Sequence, residues 1–208
     1  MRIIGGTFGG RRLRAVEGHR TRPTSDRVRE ALFSRIEARY GLEGSSVLDV
    51  FAGTGALAIE ALSRGASRAV CIEMERRALE TLRRNLRDLD LTAKARVIGE
   101  DFRKVLARLK SFDGVFIDPP YGKGLAGDAL AAVASLGLVK QGGWVTVEVG
   151  RREDTDERVE GQGLVLRRVR EDSYGDTKLA LYEAEAAATQ DEREEQDGSR
   201  QAPAEVER

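Results

Sequence analysis

Four apolar runs each close on an acid: "VLDV" on Asp49, "AVCIEM" on Glu73, "ARVIGED" on Asp101 and "GVFIDPPYG" on Asp118. An apolar run that stops at a carboxylate predicts a buried strand that delivers the acid to one edge of a sheet. Open α/β sheets bind their ligands at that edge, outside the carboxyl ends of the strands. The stop at Asp118-Pro119-Pro120-Tyr121 carries the most chemistry. The two prolines remove two backbone donors and fix φ, so the loop presents acceptors in a stiff, extended form. The Asp118 carboxylate and the Pro119 carbonyl can accept the hydrogens of a planar exocyclic amine. That aims the nitrogen lone pair, otherwise delocalised into the ring, at an electrophile. Tyr121 offers a face on which a flipped-out base can stack. Catalysis of this kind is positioning and electrostatics, with no covalent enzyme intermediate. The plain alternative is a strand stop followed by a turn through Tyr121-Gly122.

The electrophile follows from the glycine turn. Gly53-Thr54-Gly55-Ala56-Leu57-Ala58 fits G-x-G-x-x-A between a strand and a helix, and Glu73 lies 20 residues after Gly53 (73 − 53). An acid there suits the hydroxyls of a ribose. Taken alone, this pattern fits a nicotinamide dinucleotide. Asp49 argues against it, because a carboxylate just before the loop would face a pyrophosphate. S-adenosylmethionine carries no phosphate, and its ammonium and sulfonium favour an acid. Ala52, Gly53, Thr54 and Gly55 would then let the backbone approach the methionine end of that cofactor. Asp101 would suit the adenine amino group, with Phe102 or Met74 packed on the ring. Asp49 as a buried polar residue and Asp101 as the cap of a helix from Arg103 are the plain alternatives.

Stepping outward, the elements that must hold these residues are legible in the hydrophobic periodicity. Residues 47–53, 69–74, 95–101, 114–118 and 144–149 read as buried strands. Helices are predicted over 25–39, 56–65 and 127–135, and after the second strand, where Ala78, Leu79, Leu82, Leu86 and Leu89 recur at helical spacing. Strand alternating with helix, and strands apolar throughout, argue for a parallel sheet covered on both faces. Residues 164–171 and 178–184 look like a closing antiparallel pair, and residues 2–16 like a hairpin or extended arm. The expected organisation is a basic arm over 1–22, a Rossmann-like domain over 23–184 and a disordered acidic tail over 185–208.

The 208 residues suit one such domain, and 40% of them are hydrophobic. No apolar run approaches the roughly 18 residues of a membrane span, and the first residues lack the apolar stretch of a secretory signal. Cys71 is the single cysteine and His19 the single histidine, so no intrachain disulfide can form and no metal site is expected. Cys71 and Trp144 read as packing residues, His19 as a surface residue. A cytoplasmic protein is expected. The net charge of zero conceals an asymmetry: residues 1–40 hold ten arginines against four acids, a net of +6. Residues 184–208 hold eight acids against three arginines, a net of −5. A basic arm suggests a polyanionic partner, a solvated basic face being the alternative.

Together, "DVFAGTG", Glu73 and "DPPY" resemble class I S-adenosylmethionine-dependent amino-methyltransferases. "RIIGGTFGGRRL", "RPTSDRVREALF", "LDVFAGTGALAIEALSRGA" and "YGDTKLALYE" narrow the resemblance to the RsmD family of bacterial small-subunit ribosomal RNA guanine-N2 methyltransferases, over about residues 2–184. The resemblance implies that Asp49, Gly53 and Gly55 form the methionine side of the pocket, that Glu73 holds the ribose and that Asp101 lies near adenine. It implies that Asp118 through Tyr121 receive a guanine and that S-adenosylhomocysteine is the product. Arg22, Thr24 and Arg27 would lie near the methionine carboxylate or the substrate. Arg11, Arg12 and Arg14 would meet RNA phosphates. The implied partner is the small ribosomal subunit or its RNA, met by a monomer. One departure is Gly9, where the family more often has a basic residue. DNA adenine-N6 and protein glutamine-N5 methylation share the D/N-P-P-Y tip, but the first needs a target-recognition domain and the second has less need of an arginine-rich arm. A nicotinamide-dependent oxidoreductase leaves Asp49 and DPPY without a role. A non-catalytic RNA-binding protein would not need Asp118 and Tyr121.

Overall fold

In the computed structural model, which describes residues 1–16, 26–122 and 124–187, one eight-stranded sheet runs through the molecule. The elements in chain order are α1 (Asp26–Tyr40), β1 (Ser46–Asp49), α2 (Ala56–Ser63), β2 (Arg68–Ile72), α3 (Arg76–Asp88), β3 (Ala95–Ile98) and α4 (Phe102–Val105). They continue as β4 (Phe112–Ile117), α5 (Leu125–Ser135), β5 (Val139–Gly150), β6 (Arg158–Glu160), β7 (Leu164–Tyr174) and β8 (Thr177–Ala186). The sheet order is β3-β2-β1-β4-β5-β8-β7-β6. The first five of these strands pair in parallel and the last three attach antiparallel. This is the expected Rossmann-like sheet, mostly parallel with an antiparallel C-terminal pair.

Alternation along the strands divides the core. Val47 and Phe116 point to a face covered by α1, α2, α3 and the N-terminal arm. Leu48, Val115 and Ile117 point to the opposite face, covered by α4 and α5. Trp144 and Cys71 are buried in the first of these layers. Gly114 exists for that packing: a Cβ there would lie 2.1 Å from the Trp144 ring. His19 falls outside the described residues.

The chain moves outward from β1 through β2 to β3, then returns and moves the other way from β4 to β5. The switch point therefore lies between β1 and β4, where strand carboxyl ends diverge and open a crevice. Asp49 ends β1, and Asp118 follows the last residue of β4.

Several boundaries differ from the expectation. β3 stops at Ile98, three residues short of Asp101, because Asp101 instead opens α4. β5 begins at Val139 rather than 144, its pairing with β4 broken by a register shift between Phe112 and Gly114. β6 was not anticipated; it is three residues long. The structured body extends past 184, since Ala186 still pairs with Leu164 along the sheet and Glu185 forms an ion pair with Arg167.

The N-terminal arm is a small hairpin, with an antiparallel bridge between Arg2 and Arg12 and backbone bonds from Ile3 to Arg11 and from Leu13 to Met1, and it lies against the body. Ile3 and Leu13 are buried in the core. The buried Glu60 carboxylate of α2 accepts from the amides of Ile4 and Gly5, at 2.7 and 2.8 Å. Ser63 Oγ accepts from the Phe8 amide at 2.9 Å and donates to the Gly5 carbonyl. Gly6, at φ +74°, passes so near the Ser63 carbonyl that a Cβ would meet it at 1.9 Å.

Candidate active site

Asp49 is 1% exposed. One carboxylate oxygen accepts from the Ala58 amide in the first turn of α2, at 3.3 Å. The other, Oδ1, has no hydrogen-bond partner among the described residues. Burial is the main cause that pushes this carboxyl up to about 7, with the neighbouring Glu73 charge adding to it and the Ala58 and Phe51 amides opposing. A buried carboxylate with an open oxygen calls for a cation or a donor from outside the chain.

The glycine turn wraps around this acid. Gly53 has φ +54° with no atom within 4 Å of a built Cβ, so its face is open to a ligand. Gly55 is needed for packing, as well as for its φ of +88°: a Cβ would lie 2.4 Å from Leu82 of α3. Glu73 braces the turn from the end of β2. One of its oxygens accepts from the Gly53 amide at 2.8 Å and the other from the Glu75 amide at 2.7 Å. Each oxygen keeps a second lone pair with which to accept a hydroxyl.

Farther along the rim, Asp101 caps α4 by accepting from the Arg103 amide at 2.9 Å. Phe102 is buried, edge-on to Phe51 with centroids 5.0 Å apart, and the Arg103 guanidinium covers it. Met74 is 70% exposed beside Glu73, so of the two side chains it is the one free to cover a ring.

Across the crevice, Pro119 is buried and Pro120 exposed, while Tyr121 is 43% exposed. The Tyr121 hydroxyl donates to the buried Glu148 carboxylate of β5 at 2.6 Å and lies 2.9 Å from Thr177 Oγ1 of β8. Burial, and then the Glu148 carboxylate, raise this phenol well above its ordinary range. It stays a protonated donor, and the ring is held at its far end while its face remains open.

Three residues that sequence reasoning missed complete the geometry. Glu148 and Thr177 reach Tyr121 through the antiparallel β5–β8 pair, and Asn85 of α3 ties the glycine turn to the arm. Asn85 is 2% exposed. Its Nδ2 donates to the Thr54 carbonyl at 2.9 Å and to the Arg14 carbonyl at 3.2 Å, and its Oδ1 accepts from the Arg14 amide at 2.8 Å. A polar residue interrupting the apolar stripe of α3 was the available signal. Asn85→Ala removes three part-buried hydrogen bonds, to the Thr54 carbonyl and to the Arg14 amide and carbonyl, each worth about 0.5–1.5 kcal/mol. The expected result is a lower melting temperature and about tenfold weaker binding of S-adenosylhomocysteine, read by calorimetry.

The arm arginines are only partly free. Arg11 donates to the Asp88 carbonyl and Arg14 to the Asp88 carboxylate, each at 2.7 Å, whereas Arg12 is exposed. Arg27 is exposed on the first turn of α1. Arg22 and Thr24 fall outside the described residues. Among the described residues, no cluster of His, Cys, Asp or Glu could hold a metal ion, and no helix is long and apolar enough to cross a membrane.

Known proteins resemble this chain in sequence and in structure. The family described as "Conserved hypothetical protein 95" matches residues 1–183. The Bacillus subtilis protein named "Putative rRNA methyltransferase YlbH" is 36% identical over 186 residues, covering 88% of this chain and 98% of that protein. Ribosomal RNA small subunit methyltransferase D of Escherichia coli is 38% identical over 149 residues, 71% of each chain. The solved structure titled "Putative methyltransferase yhhF from Escherichia coli" superposes with a TM-score of 0.77 at 34% identity, covering 90% of this chain and 99% of that one.

Proposed function

The chain belongs to the family described as "Conserved hypothetical protein 95", and from that premise we propose that it methylates the exocyclic N2 amine of a guanine in small-subunit ribosomal RNA. The coarser class, an S-adenosylmethionine-dependent ribosomal RNA methyltransferase, is that of its family. The guanine, the N2 atom and the roles of individual residues are our reading of the site.

The observation that carries the reading is the pairing of two acids across the β1/β4 switch point. Asp49, buried with an unpartnered oxygen, ends one strand, and Asp118 with its diproline follows the adjacent one. S-adenosylmethionine supplies a methyl group on an electrophilic sulfonium. Asp49 and the open face of Gly53 suit its cationic, amine-bearing end. Glu73 is placed for the ribose hydroxyls, and Met74 and Asp101 for the adenine. A dinucleotide would instead set a phosphate against Asp49, which like charge disfavours.

On the substrate side, Asp118 and the Pro119 carbonyl accept the amine hydrogens and turn its lone pair toward the methyl group. Tyr121, fixed through its hydroxyl, supplies the stacking face. Base–aromatic stacking is worth about 1–3 kcal/mol. Tyr121→Ala is therefore expected to lower kcat/KM by about 5- to 150-fold, and Tyr121→Phe, which keeps the face, by far less. Steady-state transfer of labelled methyl groups distinguishes the two.

A compact domain with a docked basic arm would borrow recognition from the shape of its substrate, so we place the reaction on the assembled or assembling small subunit, in the cytoplasm, with the protein acting as a monomer. The test is incubation of the purified protein and labelled cofactor with unmethylated small subunits, free small-subunit rRNA and DNA. Label is expected in the subunits above the free rRNA and none in DNA; preferential labelling of DNA would overturn the reading.

A further inference from the structure

A second concavity, about 540 Å³, opens at the end of the sheet opposite the acids. Arg68 at the start of β2, Lys94 and Arg96 around the start of β3, and Arg108 and Lys110 ahead of β4 line it, and among the described residues no acid does. Arg108 is paired with Glu100 at 2.9 Å. Arg68, Lys94, Arg96 and Lys110 are exposed and form no ion pair among the described residues.

This differs from the other flank of the molecule. There Arg158, Arg167, Arg168, Arg170 and Lys178 each face a carboxylate within 3.1 Å. Cations gathered around a concavity without counterions focus positive potential inside it, and a chain of phosphates is the ligand that such a field attracts.

We propose that this cleft is a second RNA-backbone site, binding phosphates of the ribosomal RNA at a distance from the target base. The inference rests on the function proposed above and deepens it. Phe112 lines the cleft at one end of β4, and Asp118 follows the other end. Six residues of strand separate them, about 20 Å at the usual rise of about 3.3 Å per residue. The nucleotides next to a base held at Asp118 do not reach the cleft. A folded RNA does, by presenting a second backbone segment around the β3 edge. The cleft thus selects for structured RNA over a short single strand.

The test is the triple variant Lys94→Gln/Arg96→Gln/Lys110→Gln, titrated with full-length small-subunit rRNA over a range of salt. Loss of three phosphate contacts is expected to flatten the slope of log affinity against log salt by about 2, since each contact contributes about 0.7–0.9. The melting temperature and the affinity for S-adenosylhomocysteine should stay unchanged, and Lys94→Arg/Lys110→Arg should keep the wild-type slope. A triple variant with an unchanged slope overturns the inference and leaves these charges as protection of an edge strand. Tripolyphosphate binding that disappears in the triple variant while the RNA slope is unchanged also overturns it, in favour of a small-anion pocket. Failure of the wild type to bind RNA at all would remove the proposed function and this inference together.

Discussion

Asp118→Ala is expected to abolish methyl transfer while leaving S-adenosylhomocysteine binding almost unchanged. Asp118 follows β4 on the substrate side of the switch point, and the residues suited to the cofactor come from β1, β2 and the loops after β1, β2 and β3. Its carboxylate acts on the amine as the lone pair is freed, so its loss falls on the chemical step rather than on cofactor affinity. Removal of a preorganised electrostatic partner of this kind costs about 10²- to 10³-fold in kcat. Asp118→Asn retains one acceptor oxygen and should keep part of the rate. Single-turnover transfer of a labelled methyl group reads the rate, and calorimetry reads the affinity. Lost cofactor affinity with residual turnover would reverse the roles assigned to the two sides of the crevice.

Asp49→Asn should have the opposite profile, with cofactor affinity lost and the free protein stabilised at alkaline pH. The folded protein holds the Asp49 proton up to about pH 7, against an ordinary value of 3.8. Between those values the folded state binds more protons than the unfolded chain, so stability falls as pH rises, and above about 7 the full penalty is present. The shift corresponds to a few kcal/mol, about 1.4 per pH unit. The amide of asparagine returns part of this, because its NH2 replaces an unpartnered oxygen and is itself buried. The melting temperature of the variant relative to the wild type should therefore rise from pH 5 to pH 8. Cofactor affinity responds in the other direction. The ionised carboxylate is the form that receives an ammonium, so wild-type binding of S-adenosylhomocysteine should weaken as pH falls below about 7. Asp49→Asn should bind at least tenfold more weakly and lose that pH dependence. Differential scanning calorimetry and titration across pH supply both curves. A melting difference that does not change with pH would mean that Asp49 is not held protonated in the free fold.

The parallel half of the sheet was readable in the sequence because each strand there is a short apolar run closed by an acid or glycine. The order of those runs also locates the crevice, since Asp49, Glu73 and Asp118 all leave the sheet at the same end. What could not be read depends on which distant elements meet. Glu148 reads as one more outward acid in "WVTVEVG", and only the antiparallel pairing of β5 with β8 brings it and Thr177 to Tyr121. Glu60 and Ser63 sit in an otherwise apolar helix, and their partners lie more than fifty residues earlier in the arm. The run "ARVIGED" reads as one strand ending on Asp101, but the strand stops at Ile98 before Gly99, and Asp101 takes its alternative place as a helix cap. A capping bond to Arg103 outcompeted strand continuation there. The arm offers RNA less free charge than its sequence suggests, because Arg11 and Arg14 are bonded to Asp88. Those arginines contribute to RNA binding only to the extent that phosphates outcompete Asp88.

The central claim is that the Asp118-Pro119-Pro120-Tyr121 tip presents a guanine N2 amine to the methyl donor. Nucleoside mass spectrometry of unmethylated small subunits after incubation with the protein and S-adenosylmethionine tests it most directly. N2-methylguanosine is expected at a single position, absent when Asp118→Ala replaces the wild type. N6-methyladenosine, or a methyl group found on protein instead of RNA, would contradict it.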